Sequence, residues 1–118
     1  MTRRPDWPVR LAALLSAAET RPFDPRRWNC ARFALAAVEA VTGTRPAVRV
    51  LPSLEASAES AGFPRIPSAF ARAGDVVLAN AAEPRLGVVV DGGLAAFVGP
   101  RGLIRQPLTT CTTAWRIG

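Results

Sequence analysis

The most informative absence in this 118-residue sequence is histidine, which does not occur at all. Without an imidazole, the chain has no side chain that ordinarily titrates near neutral pH, and it lacks the commonest protein ligand of metal ions. Lysine and tyrosine are absent too, so all fifteen basic residues are arginine. The sequence therefore predicts no metal site and no cofactor, and it offers no ordinary general base.

Cysteine is scarce, with Cys30 and Cys111 the two examples. Two thiols cannot complete a zinc site, which generally needs four ligands. Basic residues precede an apolar stretch near the N-terminus, but Trp7 and Pro8 interrupt it, so we expect no secretory signal there. Two cysteines could form one disulfide, yet we expect reduced thiols in a chain that stays in the cytoplasm or joins a particle assembled there.

Long hydrophobic runs are missing as well. No apolar stretch approaches the roughly 20 residues that a membrane-spanning helix needs, so we expect no membrane span. Hydrophobic residues make up 49% of the chain and charged residues 20%, proportions that are typical of globular proteins. The length suits one core, so residues 1–118 are predicted to form a single domain.

The formal net charge of +6 would ordinarily favour a phosphate-rich partner. The arginines are dispersed, however, and the sequence has no recognition-helix motif and no basic strand interleaved with aromatic residues. We therefore expect no direct binding of nucleic acid. A basic face that meets another anionic partner, such as an acidic protein ring or a cell-wall polymer, stays open.

Apolar residues at helical spacing predict three helices in the N-terminal half. The first covers residues 8–19, with Asp6 as a possible cap. A proline-rich loop follows, and a second helix then runs from Cys30 to a C-terminal cap at Gly43; it is expected to be the most buried of the three. A short third helix begins after Ser53.

The periodicity changes in the C-terminal half, where five short segments are β-branched or alternating and are separated by turn residues. These segments are GDVVLAN, RLGVVVDGG, LAAFVGPRG, LIRQPL and TTAWRIG. The Asp91-Gly92 pair is a strong hairpin signal. The sequence thus predicts an α+β domain in which N-terminal helices pack on an antiparallel sheet of about five strands arranged as a meander.

Three motifs in order, W-N-C-A-R-F-A, A-G-D-V-V-L and R-L-G-V-V-V-D-G-G, resemble those of the NlpC-type papain-like cysteine peptidases. The chain resembles more narrowly a degenerate branch of uncharacterised proteins from phage and prophage tail modules, because TTAWRIG is similar to the last strand of that branch. The resemblance runs from about Trp28 to Trp115. It implies a papain-like fold.

The resemblance also implies a site. Cys30 stands at the nucleophile position, where a helix N-terminus favours a thiolate. The family's histidine falls at Arg85, and a guanidinium cannot shuttle protons at neutral pH. Asn29 replaces the usual aspartate before the cysteine, and nothing polar stands near residues 96–99, where the third family residue is expected. Carboxylates are about four pKa units more acidic than a thiol, so they are poor substitutes for the missing base.

Each of these residues also has a structural interpretation. Cys30 is either a small apolar residue behind Trp28 or a reactive thiolate. Arg85 is either a solvated residue at a strand end or a partner of Cys30. Asp75 is expected to fix a turn through a local bond to the backbone, and Trp28 and Trp115 are expected to anchor the core or its rim.

Two functions follow from the resemblance and the missing base. The first is a non-catalytic NlpC-like component, structural or adaptor, of the tail of a phage, prophage or gene-transfer particle, which would contact other tail proteins near the tail tip. The second is a weak or partner-completed cysteine peptidase or amidase that acts on peptidoglycan peptides through Cys30, with a histidine supplied by another chain.

Overall fold

The computed structural model describes residues 1–80, 82–91 and 93–118. Its helices are α1 (Trp7–Ala18), α2 (Cys30–Thr42) and α3 (Leu54–Glu59). Its strands are β1 (Arg65–Ile66), β2 (Val76–Asn80), β3 (Pro84–Asp91), β4 (Leu94–Gly99), β5 (Gly102–Pro107) and β6 (Cys111–Trp115), with short 3-10 helices at Ser68–Phe70 and Leu108–Thr110. The predicted α+β class is confirmed, because helices precede a wholly antiparallel sheet.

Helix α2 forms where its sequence pattern predicts it. The Asn29 side chain accepts a hydrogen bond from the Arg32 N–H at 3.0 Å and caps the first turn, and Gly43 ends the helix in the left-handed conformation at φ 79°. Five of its residues are buried against two in α1 and none in α3. The prediction that α2 is the most buried helix is therefore confirmed.

The predicted cap of α1 is wrong in its detail. Asp6 occupies the N-cap position, but its side chain caps no backbone N–H. Its carboxylate instead accepts a hydrogen bond from Arg4 Nε at 3.1 Å. The prediction for α3 holds, since Ser53 accepts from the Ala56 N–H at 3.0 Å.

The strand order across the sheet is β1-β6-β2-β3-β4-β5. Strands β2 to β5 form the predicted meander, but β6 does not extend it, because β6 returns to pair with β2 on the opposite side. The two-residue strand β1 was not predicted, and it pairs with β6 at the edge. The β3–β4 hairpin is present, with Asp91 paired to Leu94, while Gly92 of the predicted turn lies outside the described residues.

The sheet buries apolar side chains on both faces, which carry two separate clusters. We call the cluster on the side of the helices the helix-side core; its residues from the sheet are Val76, Leu78, Leu86, Val88, Ala96, Val98 and Trp115. We call the cluster on the opposite side the far-side core; its residues are Val77, Ala79, Val89, Ala95, Phe97, Cys111 and Ala114. Because side chains alternate along a strand, a residue's parity decides which of the two cores it enters in β2, β3 and β4. The register shift where β2 pairs with β6 interrupts this alternation in β6.

Gly87 shows this alternation. A Cβ there would lie 2.5 Å from the Phe97 ring and 2.7 Å from the Ala96 carbonyl oxygen. Gly87 therefore faces the far-side core, where the absence of a side chain leaves room for Phe97 of the neighbouring strand.

Strand β5 forms one edge of the sheet, and the end of α1 covers part of it. The Leu103 N–H donates to the Glu19 carbonyl oxygen at 3.2 Å, and Arg105 binds the Glu19 carboxylate through two hydrogen bonds of 2.9 Å.

Within the described residues, no helix is both long and apolar enough to cross a bilayer.

Candidate active site

Cys30 is the first residue of α2 and follows the capping Asn29 directly. Its side chain is half-buried and packs at the margin of the helix-side core. The structure therefore places the predicted nucleophile at a helix N-terminus, where free N–H groups and the helix dipole favour an anion. Whether the Cys30 thiol can act as a nucleophile therefore depends on the side chains that surround this first turn.

The loop before Cys30 is held in one shape by its own hydrogen bonds. Backbone groups of Asp24 and Trp28 bond each other at 2.8 and 2.9 Å, and the Phe23 N–H donates to the Gly99 carbonyl oxygen at 3.0 Å, which ties the loop to the end of β4. The Asn29 amide donates to the Pro25 carbonyl at 3.1 Å. The loop that leads into Cys30 is thus tied to itself and to β4 by hydrogen bonds.

Trp28 is buried beside Cys30, as the sequence predicts for a core anchor. Its ring meets Phe33 edge-on with centroids 5.8 Å apart, and the Arg21 guanidinium stacks over the Trp28 ring with its carbon 4.1 Å from the ring centroid. Its indole N–H is buried and has no hydrogen-bond partner among the described residues. Trp28 therefore contributes apolar packing, and it supplies no group that could move a proton.

An apolar cavity of about 80 Å³ lies beside α2, between α3 and the sheet. Its walls include Ala31 and Ala34 of α2, Val76 and Leu86 of the sheet, and Trp115. The remaining lining residues are Leu35, Val38, Pro46, Val48, Leu54, Ser57, Ala58, Ala61, Phe63 and Ile117. None of these side chains is titratable in the pH range of enzyme catalysis, so this cavity, whose lining includes Ala31 but not Cys30, offers no acid or base.

The few polar atoms at this cavity are already engaged. The Ser57 hydroxyl accepts from the Leu51 N–H at 2.9 Å and bonds the Ser53 carbonyl at 3.1 Å. The Trp115 indole N–H donates to Glu59 Oε1 at 2.9 Å. These bonds fix α3 and the loop before it, so both groups serve the fold.

Arg85 lies on the other side of the sheet from Cys30. Its guanidinium carbon is 5.6 Å from the centroid of the Phe97 ring, within range of a cation–π contact, and Phe97 belongs to the far-side core. The next residue, Leu86, points the opposite way and lines the cavity with Ala31. The structure therefore does not bring Arg85 and Cys30 together.

The segment expected to hold the third family residue is apolar in space as well as in sequence. Ala96, Phe97 and Val98 are all buried, in the two cores described above.

Groups of three or more His, Cys, Asp or Glu side chains in metal-binding proximity do not occur within residues 1–80, 82–91 and 93–118.

Cys111 belongs to the far-side core, whereas Cys30 packs on the helix side, and both are free thiols. Burial raises the pKa of the Cys111 thiol above its ordinary value, since a thiolate is poorly solvated in an apolar environment. Cys111 is thus a structural residue.

Asp75 has a fully buried side chain and organises the ends of the chain. It accepts from the Arg72 N–H at 3.0 Å, which is the local turn bond that the sequence predicts. It also pairs with Arg3 at 3.0 Å and Arg116 at 3.1 Å, and accepts from the Ile117 N–H at 2.9 Å. These distant partners were missed, because residues 3 and 116 carry no local signal of their role.

Comparison with known families gives one match, to the family described as Domain of unknown function (DUF6950), over residues 2–61 and 47–117. The chain belongs to this family. The DUF6950 matches take in the helix that carries Cys30 and the strand that carries Arg85. No curated protein matches the sequence.

Proposed function

We propose that this DUF6950 protein is a non-catalytic, NlpC-like structural or adaptor component of a phage-like tail, located near the tail tip. The tail context comes from the resemblance of the ordered motifs around Cys30, Asp75 and Gly87 and of the closing TTAWRIG segment. The non-catalytic role comes from the surroundings of Cys30.

The observation that carries the non-catalytic role is the pair Arg85 and Leu86. Arg85 stands at the expected histidine position in sequence but contacts Phe97 on the far side of the sheet. Leu86 takes the helix-facing position in an apolar cavity. A thiol without a neighbouring base loses general acid–base catalysis, which typically contributes 10² to 10⁴ in rate.

A partner-completed peptidase is the second candidate, and the half-buried position of Cys30 at a helix N-terminus favours it. Another chain would have to deliver an imidazole past the loop that contains Trp28. The hydrogen bonds that hold this loop favour the first candidate, since they keep a rigid structure beside the thiol.

The catalytic half of the proposal is tested with purified protein and muropeptides that contain stem peptides. We expect no cleavage by the wild type, by Cys30→Ala or by Arg85→His, because an imidazole at residue 85 would face Phe97. An active NlpC-type peptidase serves as the control for the substrate. Cleavage by the wild type that disappears in Cys30→Ala would overturn the non-catalytic assignment.

The tail half of the proposal is tested in cells that produce the particle. We expect an epitope-tagged chain to co-sediment with intact particles, and gold-labelled antibody against the tag to mark the tail tip. A chain found only outside the particles, while the tail proteins sediment with them, would overturn the structural role without bearing on catalysis.

A further inference from the structure

One end of the molecule concentrates arginine. Four arginines stand between residues 20 and 32, and Arg101 occupies the neighbouring β4–β5 turn. We call this the arginine end: Arg21, Arg26, Arg27, Arg32 and Arg101, together with Phe23. All five arginines are exposed, and the hydrogen bond from Phe23 to Gly99 brings the loop next to the β4–β5 turn.

These arginines have no carboxylate partner in the described part of the chain, whereas Arg3, Arg4, Arg65, Arg105 and Arg116 do. Asp24 is the acidic residue within the loop, and its Oδ1 accepts from the N–H groups of Arg26 and Arg27 at 2.9 and 3.1 Å. That carboxylate oxygen therefore holds the backbone turn and leaves both guanidinium groups free.

The position of these charges is unfavourable for the isolated molecule. Arg32 lies in the first turn of α2, which contains no acidic residue, and the positive pole of the helix dipole repels cations there. Arg26 and Arg27 immediately precede the same turn. An anionic partner would relieve this repulsion, which is a physical reason for the surface to bind one.

The loop also presents an aromatic side chain in a fixed place. Phe23 is 50% exposed, although its backbone is bonded to Gly99 and its neighbours Pro22 and Pro25 restrict the chain. An exposed aromatic residue among arginines has the composition of a protein-binding surface, and the restricted backbone leaves little backbone entropy to be lost when it binds.

We propose that the arginine end is a docking surface for an acidic protein surface, with Phe23 as its apolar anchor. Guanidinium groups bind carboxylates through paired hydrogen bonds, and the exposed phenyl ring suits an aliphatic side chain between those carboxylates. Nucleic acid fits less well, because Phe23 is a lone exposed ring in the loop and single strands are bound on successive stacking aromatic residues. This inference rests on charge and geometry and is independent of the proposed tail role.

The test uses the ¹⁵N-labelled full chain and a 12-residue glutamate-rich peptide with two central leucines, at physiological salt. We expect chemical-shift changes confined to residues 20–32 and 99–103. Replacing three of the arginines that make no stacking contact, as Arg26→Ala/Arg27→Ala/Arg32→Ala, should weaken binding at least about tenfold. Phe23→Ala should weaken it about fivefold or more and should not change the response to a leucine-free peptide.

The matched control removes three exposed arginines outside the arginine end, as Arg10→Ala/Arg45→Ala/Arg49→Ala, with the same loss of charge. We expect this variant to bind the peptide within about twofold of the wild type, because salt screens charges that lie far from the bound peptide. An equal loss in both triple variants would overturn the proposal, because net charge alone would then explain binding. Tighter binding of a 12-base-pair DNA duplex to residues 20–32 would overturn it in favour of nucleic acid.

Discussion

The two cysteines differ in environment although both are free thiols. Cys30 is half-buried at the start of α2, and Cys111 is buried in the far-side core at the start of β6. The same residue type therefore has different chemical access at the two positions, and burial also raises the pKa of Cys111.

We predict that a thiol reagent such as dithionitrobenzoate modifies one cysteine of the native protein quickly and the second only after unfolding. The fast reaction should vanish in Cys30→Ser and persist in Cys111→Ser, because thiolate fraction and access both disfavour Cys111. The time course of absorbance at pH 8, with and without denaturant, measures this. Two equally fast thiols in native protein would contradict the burial of Cys111.

At the scale of elements, the junction between α1 and β5 depends on a glycine. Gly102 begins β5 with φ 138°, and a Cβ there would overlap the Glu19 carbonyl oxygen at the end of α1. The strand can thus approach the helix end closely enough for Leu103 to bond Glu19.

We predict that Gly102→Ala lowers the free energy of unfolding by at least about 1–3 kcal/mol, since the backbone conformation itself is strained for alanine and the overlap adds to it. Urea denaturation monitored by circular dichroism measures the change. Gly62→Ala is the matched control, because Gly62 has φ 83° but open space around it. A smaller cost for Gly102→Ala than for Gly62→Ala would contradict the close approach.

The same junction should be sensitive to acid. Hydrogen bonds from Arg105 lower the pKa of Glu19 in the folded protein. The stabilisation is therefore complete above about pH 4.5, the ordinary pKa of the unfolded side chain, and is lost as the pH falls through the lower folded pKa.

We predict that Glu19→Gln melts at a lower temperature than the wild type at pH 7, and that this difference shrinks steadily below about pH 4.5. Thermal melts between pH 3 and pH 7 measure it. The matched variant Glu83→Gln removes an exposed carboxylate that makes no ion pair in the described part of the chain, and it controls for the loss of one negative charge. A constant offset for Glu19→Gln would contradict the role of the ion pair.

At the scale of the whole molecule, Asp75 joins segments that are far apart in sequence. Its carboxylate binds the N-terminal Arg3, the turn at Arg72 and the C-terminal Arg116 and Ile117. Burial lowers the pKa of Arg3, a larger effect than the opposing attraction of Asp75. The arrangement is a buried carboxylate with two arginine partners, completed by hydrogen bonds from backbone N–H groups.

We predict that Asp75→Ala lowers the free energy of unfolding by about 3–5 kcal/mol, because it leaves a mostly buried guanidinium without its carboxylate and the Ile117 N–H without its acceptor. Glu55→Gln, which breaks an exposed ion pair with Arg65, should cost less than about 1 kcal/mol. Urea denaturation of both variants gives the comparison. Equal small losses would show that Asp75 does not hold the chain ends.

Local patterns in the sequence determined the helices, the N-terminal cap at Ser53, the C-terminal cap at Gly43, five of the six strand segments and the place of Cys30 on α2. Each of these depends on residues a few positions apart, so the pattern and its physical cause lie together in the chain. The absence of histidine was equally visible, and it limits the chemistry without reference to any fold.

Only the tertiary structure decided three further features: the pairing of β6 with β2, the partners of Asp75 and the face of the sheet that Arg85 occupies. Strand pairing and buried ion pairs join residues that are distant in sequence, so no local pattern records them. The face of the sheet that Arg85 occupies depends on the pairing register of its strand, because side chains alternate between the two faces and a shift of one residue moves each of them to the other face. For that reason Leu86 lines the cavity beside α2 while Arg85 lies over Phe97.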